Sequence, residues 1–245
     1  MSNIYGVMPV LEALRSGARR IERIIIAEGA KIERLGEIIE SARKSDVPVR
    51  REPRVALDRL SNRANHQGVI AIAAAAQYTD EADLLEAISP KSLFVLLDGV
   101  EDPRNLGAII RTAECAGATA VIIPERRAAH ITDVAAKASA GATEYVPVVR
   151  VTNLASFIER LKKKNVWVVG VESDGEMVYT KYDYSGATAL VFGSEGEGLH
   201  RLVRERCDTL VSIPLRGRIT SLNVSVAVGI VLFEAVRGRE VKSES

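Results

Sequence analysis

The sequence predicts an α/β protein in which a small α/β unit precedes a larger one built on a parallel sheet covered on both faces. Three observations predict it. Apolar runs of strand length recur along the chain, among them "SLFVLLDGV" (92–100), "ATAVIIP" (118–124) and "ATALVFG" (187–193). Segments with helical periodicity alternate with them, the pattern of a sheet whose crossovers cover both faces. Loops rich in Gly, Pro and Asn follow several of the strands.

The elements follow in order. "VMPVLEALRSG" (7–17) is a helix ending near Gly17, and "IERIIIAE" (21–28) is a strand. In "KIERLGEIIESARKSD" (31–46), Ile32, Leu35, Ile38 and Ile39 share one helical face. A strand "VPVRRE" (47–52), a helix "RVALDRLSN" (54–62) and a strand "HQGVIAIAAA" (66–75) close the first unit, residues 1–76. Residues 77–91 are acidic and polar, carry one short amphipathic helix and have Pro90 near their end, which predicts a hinge. Residues 92–245 form the larger unit. Its first strand (92–100) leads through "EDPRN" to a helix at 106–117 that stops at Gly117. A strand (118–124), a helix (131–141), a strand (144–151), a helix (154–165) and a strand (166–172) come next. Strand 187–193, helix 199–207, strand 209–215 and a last helix over about 222–237 complete it.

At 245 residues, 47% hydrophobic and 27% charged, the chain has the composition of a folded, soluble protein. Lys and Arg number 33 against 32 Asp and Glu, so a nucleic-acid surface has to be local. "RSGARRIER" (15–23), "RLKKKN" (160–165), "RLVRER" (201–206) and "LRGRI" (215–219) are such patches, or else plain solvated helix faces. Cys115 and Cys207 have no metal-ligand spacing and read as reduced intracellular thiols. The start does not read as a signal peptide, and Glu234 interrupts the apolar segment 222–236, so a cytoplasmic protein without a membrane span is expected.

Three loops carry chemistry, and in open α/β sheets ligands gather at the carboxyl ends of strands. In "LDGVEDPRNLGAIIRTA" (97–113), Pro103 stiffens the turn and Asn105 reads as the helix cap, with Arg104 and Arg111 on either side of it. "VFGSEGEGL" (191–199) is neither a dinucleotide fingerprint nor a Walker loop. Glu195 and Glu197 would repel a polyphosphate, so the turn suits a cation or a polar molecule with a positive centre, unless the two acids only favour a helix start. In "SIPLRGRITSLNVSVAVGIVLFEAVRG" (212–238), Arg216 and Arg218 flank Gly217, and Thr220 or Ser221 is expected to cap a helix that is apolar almost all round. Ser221, Asn223 and Ser225 stand at its mouth, as caps or as ligand contacts. Carboxylates, an arginine opposite and a basic loop together suggest a sulfonium donor, S-adenosylmethionine, with an RNA acceptor.

"DPRNLGAIIRTA", "GSEGEGL" and "IPLRGRITSLNVSVAVGIVLFEA" resemble, in order and spacing, the three motifs of the SpoU (TrmH-like) branch of the SPOUT RNA methyltransferases. "IYGVMPVLEAL" and "HQGVIA" resemble the L30e-like domain that precedes the catalytic domain in members acting on a guanosine of 23S ribosomal RNA. The resemblance implies a parallel-sheet SPOUT domain with a deep carboxyl-terminal trefoil knot, working as a homodimer without a metal. It implies that Gly193, Ser194, Gly196, Ile213, Leu215 and Leu222 hold S-adenosylmethionine. Arg111 would activate a ribose 2′-hydroxyl or hold its phosphate, Asn105 would brace that loop, and Glu195 would position substrate or a neighbouring arginine. Ser221, Asn223 and Ser225 would shape the site. Arg19, Arg20, His66, Arg104, Arg216 and Arg218 would contact RNA. Two arginines around Gly217 depart from the more neutral loop expected in close relatives.

The implied reaction is 2′-O-methylation of RNA, with 23S ribosomal RNA favoured by the amino-terminal unit and transfer RNA as the main alternative. A non-catalytic ribosomal RNA-binding or assembly factor would not require this polar set. A nicotinamide-dependent, dehydrogenase-like enzyme lacks its phosphate signature here.

Overall fold

Two sheets organise the chain in the computed structural model, which describes residues 1–31, 33 and 35–243. The first unit contains strands β1 (Ser2–Tyr5), β2 (Ile21–Ala27), β3 (Val49–Glu52) and β4 (Val69–Ala73), with helices α1 (Val7–Ser16), α2 (Gly36–Lys44) and α3 (Arg54–Leu60). The strand order is β1-β4-β2-β3, antiparallel except for β2 with β3. Strand β2 shows why both faces are covered. Ile24 and Ile26 pack with Val10, Leu14 and Ile38 from α1 and α2, while Ile25 points the other way with Leu57 of α3. Helix α1 ends as expected at Gly17, which adopts the left-handed conformation (φ 61°). Of the expected helical face, Ile32 lies outside the described residues; Leu35 and Ile38 are buried and Ile39 is partly so.

The segment 77–91 does not hang free. Asp80 caps helix α4 (Glu81–Glu86), accepting from the Ala82 N–H at 2.7 Å. Leu84 is buried in the same cluster as Phe94 and Val149, the Thr79 N–H donates to the Val148 carbonyl at 2.9 Å, and the Tyr78 hydroxyl accepts from the Ile131 N–H at 3.0 Å. Its apolar positions thus tie it to the larger unit.

That unit runs β5 (Leu93–Asp98), α5 (Pro103–Cys115), β6 (Ala120–Pro124), α6 (Asp133–Ala138), β7 (Val148–Val151), α7 (Leu154–Lys163) and β8 (Trp167–Val171). It continues with β9 (Met177–Val178), β10 (Thr188–Gly193), α8 (Arg201–Arg206), β11 (Thr209–Ser212) and α9 (Val224–Ser243). The sheet order is β7-β6-β5-β10-β8-β11-β9, and every pairing is parallel. Along β5, Leu93, Val95 and Leu97 face a core shared with Ile109 of α5 and Val228 and Leu232 of α9. Phe94 and Leu96 face Phe157, Ile158 and Leu161 of α7. The chain leaves β5 toward β6 and β7, then crosses over and returns at β10 beside β5. The order reverses between these two strands, so a crevice opens at their carboxyl ends.

Three expectations are corrected. The strand expected over 209–215 ends at Ser212, and that expected over 144–151 begins only at Val148 after a 3₁₀ turn, Ala142–Glu144. The last helix starts at Val224 and extends to Ser243. Its far end is pinned by Arg239, whose guanidinium donates to the carbonyls of Tyr184 (2.9 Å), Lys91 (2.6 Å), Ser92 (3.1 Å) and Gly186 (2.8 Å). Val224, Val228, Val231, Leu232 and Ala235 are buried, but Val226 and Phe233 are 49% and 48% exposed, so the apolar helix is covered on one side only.

Candidate active site

The turn after β10 closes on itself. The Gly198 N–H donates to the Ser194 carbonyl at 3.1 Å, and the Ser194 N–H donates to that of Gly198 at 3.2 Å. A Cβ on Gly193 would collide with the Gly198 backbone and lie 2.5 Å from Leu199 N, while Gly196 (φ 95°) and Gly198 (φ 70°) adopt backbone that side chains rarely allow. All three glycines are therefore required by the turn itself. Glu172, just past the end of β8, locks it by accepting the Leu199 N–H at 2.5 Å.

Glu195 joins the three loops. Its Oε1 accepts from Asn105 Nδ2 at 3.1 Å, from Asn223 Nδ2 at 2.7 Å and from the Val224 N–H at 3.4 Å. Asn223 Nδ2 also lies 3.0 Å from Asn105 Oδ1, and Asn223 Oδ1 accepts from Ser225 N (3.0 Å) and Oγ (2.5 Å). Two capping expectations give way to this arrangement. Asp102, not Asn105, caps α5, accepting from the Arg104 N–H at 2.7 Å with Pro103 in the first helical position. That leaves the Asn105 amide free to turn toward Glu195. Asn223, rather than Thr220 or Ser221, begins α9: its carbonyl accepts from Val226 (3.0 Å) and Ala227 (3.1 Å).

Beside this junction lies a cavity of about 380 Å³. Gly193, Ser194, Gly196, Ile213, Leu215, Leu222 and Ser221 all line it, so the residues proposed to hold a cofactor are brought together. Val171, Phe192 and Ala227 add apolar wall, and Glu172, Glu195 and Glu197 supply three carboxylates. No Lys, Arg or His stands among its described lining residues. Such a pocket repels polyphosphates and suits an amphipathic molecule of nucleoside size carrying positive charge.

The arginines are distributed differently. Arg111 is exposed on α5, makes no hydrogen bond or ion pair to a described residue, and does not line the cavity. Its neighbour Thr112 lies opposite Gly229 of α9, where an added Cβ would sit 3.7 Å from the threonine methyl. Arg20, Arg104, Arg216 and Arg218 are exposed. Arg19 is not offered to solvent: its side chain is 8% exposed and paired with Glu144, whose side chain is 2% exposed. His66 is likewise internal at 1% exposure, with Nε2 3.0 Å from Asp58 Oδ1 and Nδ1 accepting from the Gly68 N–H at 3.0 Å. Arg19 and His66 therefore hold structure together rather than form an RNA-facing surface.

Sequence reasoning missed Glu172 and a pair on the other side of the glycine turn. Asp98, at the end of β5, accepts the His200 backbone N–H at 2.7 Å and meets His200 Nδ1 at 3.0 Å. The available signal was a carboxylate ending the first strand of the unit and a histidine directly after "GSEGEGL". Burial, reinforced by Asp208, pushes the Cys207 thiol up to about 12, which leaves it a poor nucleophile at neutral pH. Among the described residues no group of three His, Cys, Asp or Glu side chains is placed to hold a metal ion, and no helix is long and apolar enough to cross a membrane.

Residues 92–233 match the model of the SpoU rRNA Methylase family, and residues 3–79 match one described as RNA 2'-O ribose methyltransferase substrate binding. The chain is 46% identical over 239 residues to the 23S rRNA (guanosine-2'-O-)-methyltransferase RlmB of Xanthomonas campestris pv. campestris, covering 96% of each. Among solved structures it is similar to the SpoU methyltransferase AviRb from Streptomyces viridochromogenes in complex with AdoMet. There the TM-score is 0.82 at 25% identity, over 98% of this chain and 90% of that one. It is also similar to an AdoMet-bound rRNA methyltransferase from Sinorhizobium meliloti, with TM-score 0.80 at 28% identity over 96% and 87%.

Proposed function

The chain belongs to the SpoU rRNA methylase family, and from that premise we propose that it transfers a methyl group from S-adenosylmethionine to the 2′-hydroxyl of a guanosine in 23S ribosomal RNA. The observation that carries the reading is the junction at Glu195, which ties all three motif loops together at the rim of a cavity free of cationic side chains.

S-adenosylmethionine fits the residues present. The glycine turn leaves room for close backbone approach, Ile213, Leu215 and Leu222 offer apolar wall to an adenosine, and the carboxylates face a cationic sulfur. When bound, it supplies an electrophilic methyl group on a positively charged leaving sulfur. The protein's part is mainly orientation, which can be worth roughly 7–11 kcal/mol. Glu195, held by Asn105 and Asn223, fixes the three loops relative to one another, and Ser221 and Ser225 complete the polar rim. Arg111 keeps its proton, so its role is to grip a phosphate beside the acceptor ribose. Arg20, Arg104, Arg216 and Arg218 are exposed and suit backbone contacts.

A homodimer formed on α9 would cover the exposed Val226 and Phe233. A trefoil knot accounts for the tight passage of backbone past Gly175, where an added Cβ would lie 2.8 Å from Ser212 N. The first unit would present ribosomal RNA to the site, and the protein would act in the cytoplasm.

Mapping 2′-O-methylation in ribosomal and transfer RNA from cells with and without the gene tests the function. Loss of one guanosine methylation in 23S ribosomal RNA is the expected result. An unchanged ribosomal pattern with a lost transfer-RNA methylation contradicts it.

A further inference from the structure

We infer that His200 is the base that removes the proton from the acceptor 2′-hydroxyl, an assignment that rests on the methyl-transfer reading above. A ribose hydroxyl is a weak nucleophile until its proton has somewhere to go. Arg111 cannot accept that proton. The Glu195 oxygen nearest the junction already accepts three hydrogen bonds. His200 is differently placed. The Asp98 carboxylate lies 3.0 Å from its Nδ1 and also holds the His200 backbone N–H at 2.7 Å. A carboxylate on Nδ1 keeps the proton on that nitrogen and leaves Nε2 with a lone pair. Nε2 makes no hydrogen bond to a described residue. Asp98 is firmly set, with its side chain only 8% exposed, whereas that of His200 is 44% exposed.

The ring borders a second cavity of about 450 Å³. Ser194, Glu195, Glu197 and Val224 line both this cavity and the one assigned to the methyl donor, so the two share the glycine turn as a wall. Gly99 (φ 78°) keeps the approach open: a Cβ there would stand 3.3 Å from His200 Cε1 and 3.4 Å from Ser194 Cβ. Asn105, which the motif reading places in the catalytic set, lines this second cavity as well. A ribose entering it meets Nε2 on one side and the donor pocket across the turn.

The step balances. The 2′-oxygen gains a bond to the methyl carbon and gives its proton to Nε2, while the departing sulfur keeps the electron pair of the broken carbon–sulfur bond. Positive charge thus passes from sulfonium to imidazolium. The charged groups around the ring are Asp98, Glu101, Asp102, Arg127, Glu195 and Glu197, mostly carboxylates that favour charge arriving there. On the ring's own helix, Arg201 and Arg204 are engaged by Glu205 and Asp174.

The test compares wild type, His200→Gln and His200→Ala in single-turnover methyl transfer to 23S ribosomal RNA transcripts, with RNA and S-adenosylmethionine affinities measured alongside. Both variants are expected to slow transfer by about 10²–10⁴-fold, the usual worth of a general base, with affinities unchanged. Imidazole added to the buffer should restore part of the His200→Ala rate. The acid limb of the wild-type rate–pH profile, where the ring already carries the proton, should vanish in both variants. Nitrogen NMR of histidine-labelled protein gives a readout independent of turnover. With only three histidines in the chain, His200→Gln identifies the signal, and the free protein should show the proton on Nδ1. Wild-type rates in His200→Gln, a proton on Nε2, or slowed transfer that imidazole does not rescue would each overturn the assignment. Should wild type itself fail to methylate the transcripts, the methyl-transfer reading falls and this assignment with it.

Discussion

Glu144→Ala is expected to lower the unfolding free energy by about 3–5 kcal/mol, because it strands the buried Arg19 guanidinium without a partner. The pair is the centre of the contact between the two units. Arg19 follows α1, Glu144 ends the 3₁₀ turn before β7, and Arg19 Nε donates to Glu144 Oε2 at 2.9 Å. Close fit surrounds it. The Tyr145 hydroxyl donates to Glu12 Oε2 at 2.6 Å, Lys137 Nζ donates to Gln67 Oε1 at 3.2 Å, and a Cβ on Gly141 would lie 2.5 Å from Glu12 Cβ. Urea denaturation measures the loss. Replacing both partners, as Arg19→Met with Glu144→Leu, should recover most of it, since a buried pair exchanged for apolar groups is often neutral. If Glu144→Ala unfolds like wild type, the pair does not hold the units together.

Asn223→Ala should give the largest catalytic loss among the loop residues, about 10²-fold in single-turnover methyl transfer. A hydrogen bond to a charged group is worth about 1.5–3 kcal/mol, and a misplacement of about 1 Å near the chemistry can cost a similar factor. The substitution removes the amide that donates to Glu195 and meets Asn105, together with the oxygen that holds Ser225. Asn223→Asp separates the two roles. An aspartate still caps α9, so stability should stay near wild type, while Asn223→Ala loses about 1 kcal/mol. Yet the aspartate repels Glu195, so its transfer rate should fall at least as far as that of the alanine variant. An active Asn223→Asp would reduce Asn223 to a helix cap.

The sheet was legible because strands buried on both faces are short continuous apolar runs, as Leu93–Asp98 and Thr188–Gly193 are. Strand Ser2–Tyr5 was missed because four residues directly before a helix carry too little pattern, and Met177–Val178 has only two. The hinge reading of 77–91 failed for a related reason: polar composition hid single anchors such as Leu84 and Tyr78. At the site, sequence logic drew Glu195, Asn105 and Asn223 into one constellation, but local capping rules misassigned two of them. A cap is scored against its own helix, whereas Asn105 turns to a carboxylate 90 residues away. Arg19 and His66 looked like surface charge because nothing local announces Glu144, 125 residues away, or the Asp58 that braces the turn at Gly68. His200 escaped notice for the same reason, since its partner lies 102 residues upstream.

The central claim is that the glycine turn and its carboxylates form a pocket for a cationic nucleoside. Titration calorimetry of the intact protein with S-adenosylmethionine and, separately, with adenosine triphosphate tests it most directly. The account predicts saturable binding of S-adenosylmethionine that Leu222→Arg abolishes, with no binding of the triphosphate. Binding of the triphosphate to wild type, or no heat with S-adenosylmethionine, would contradict it.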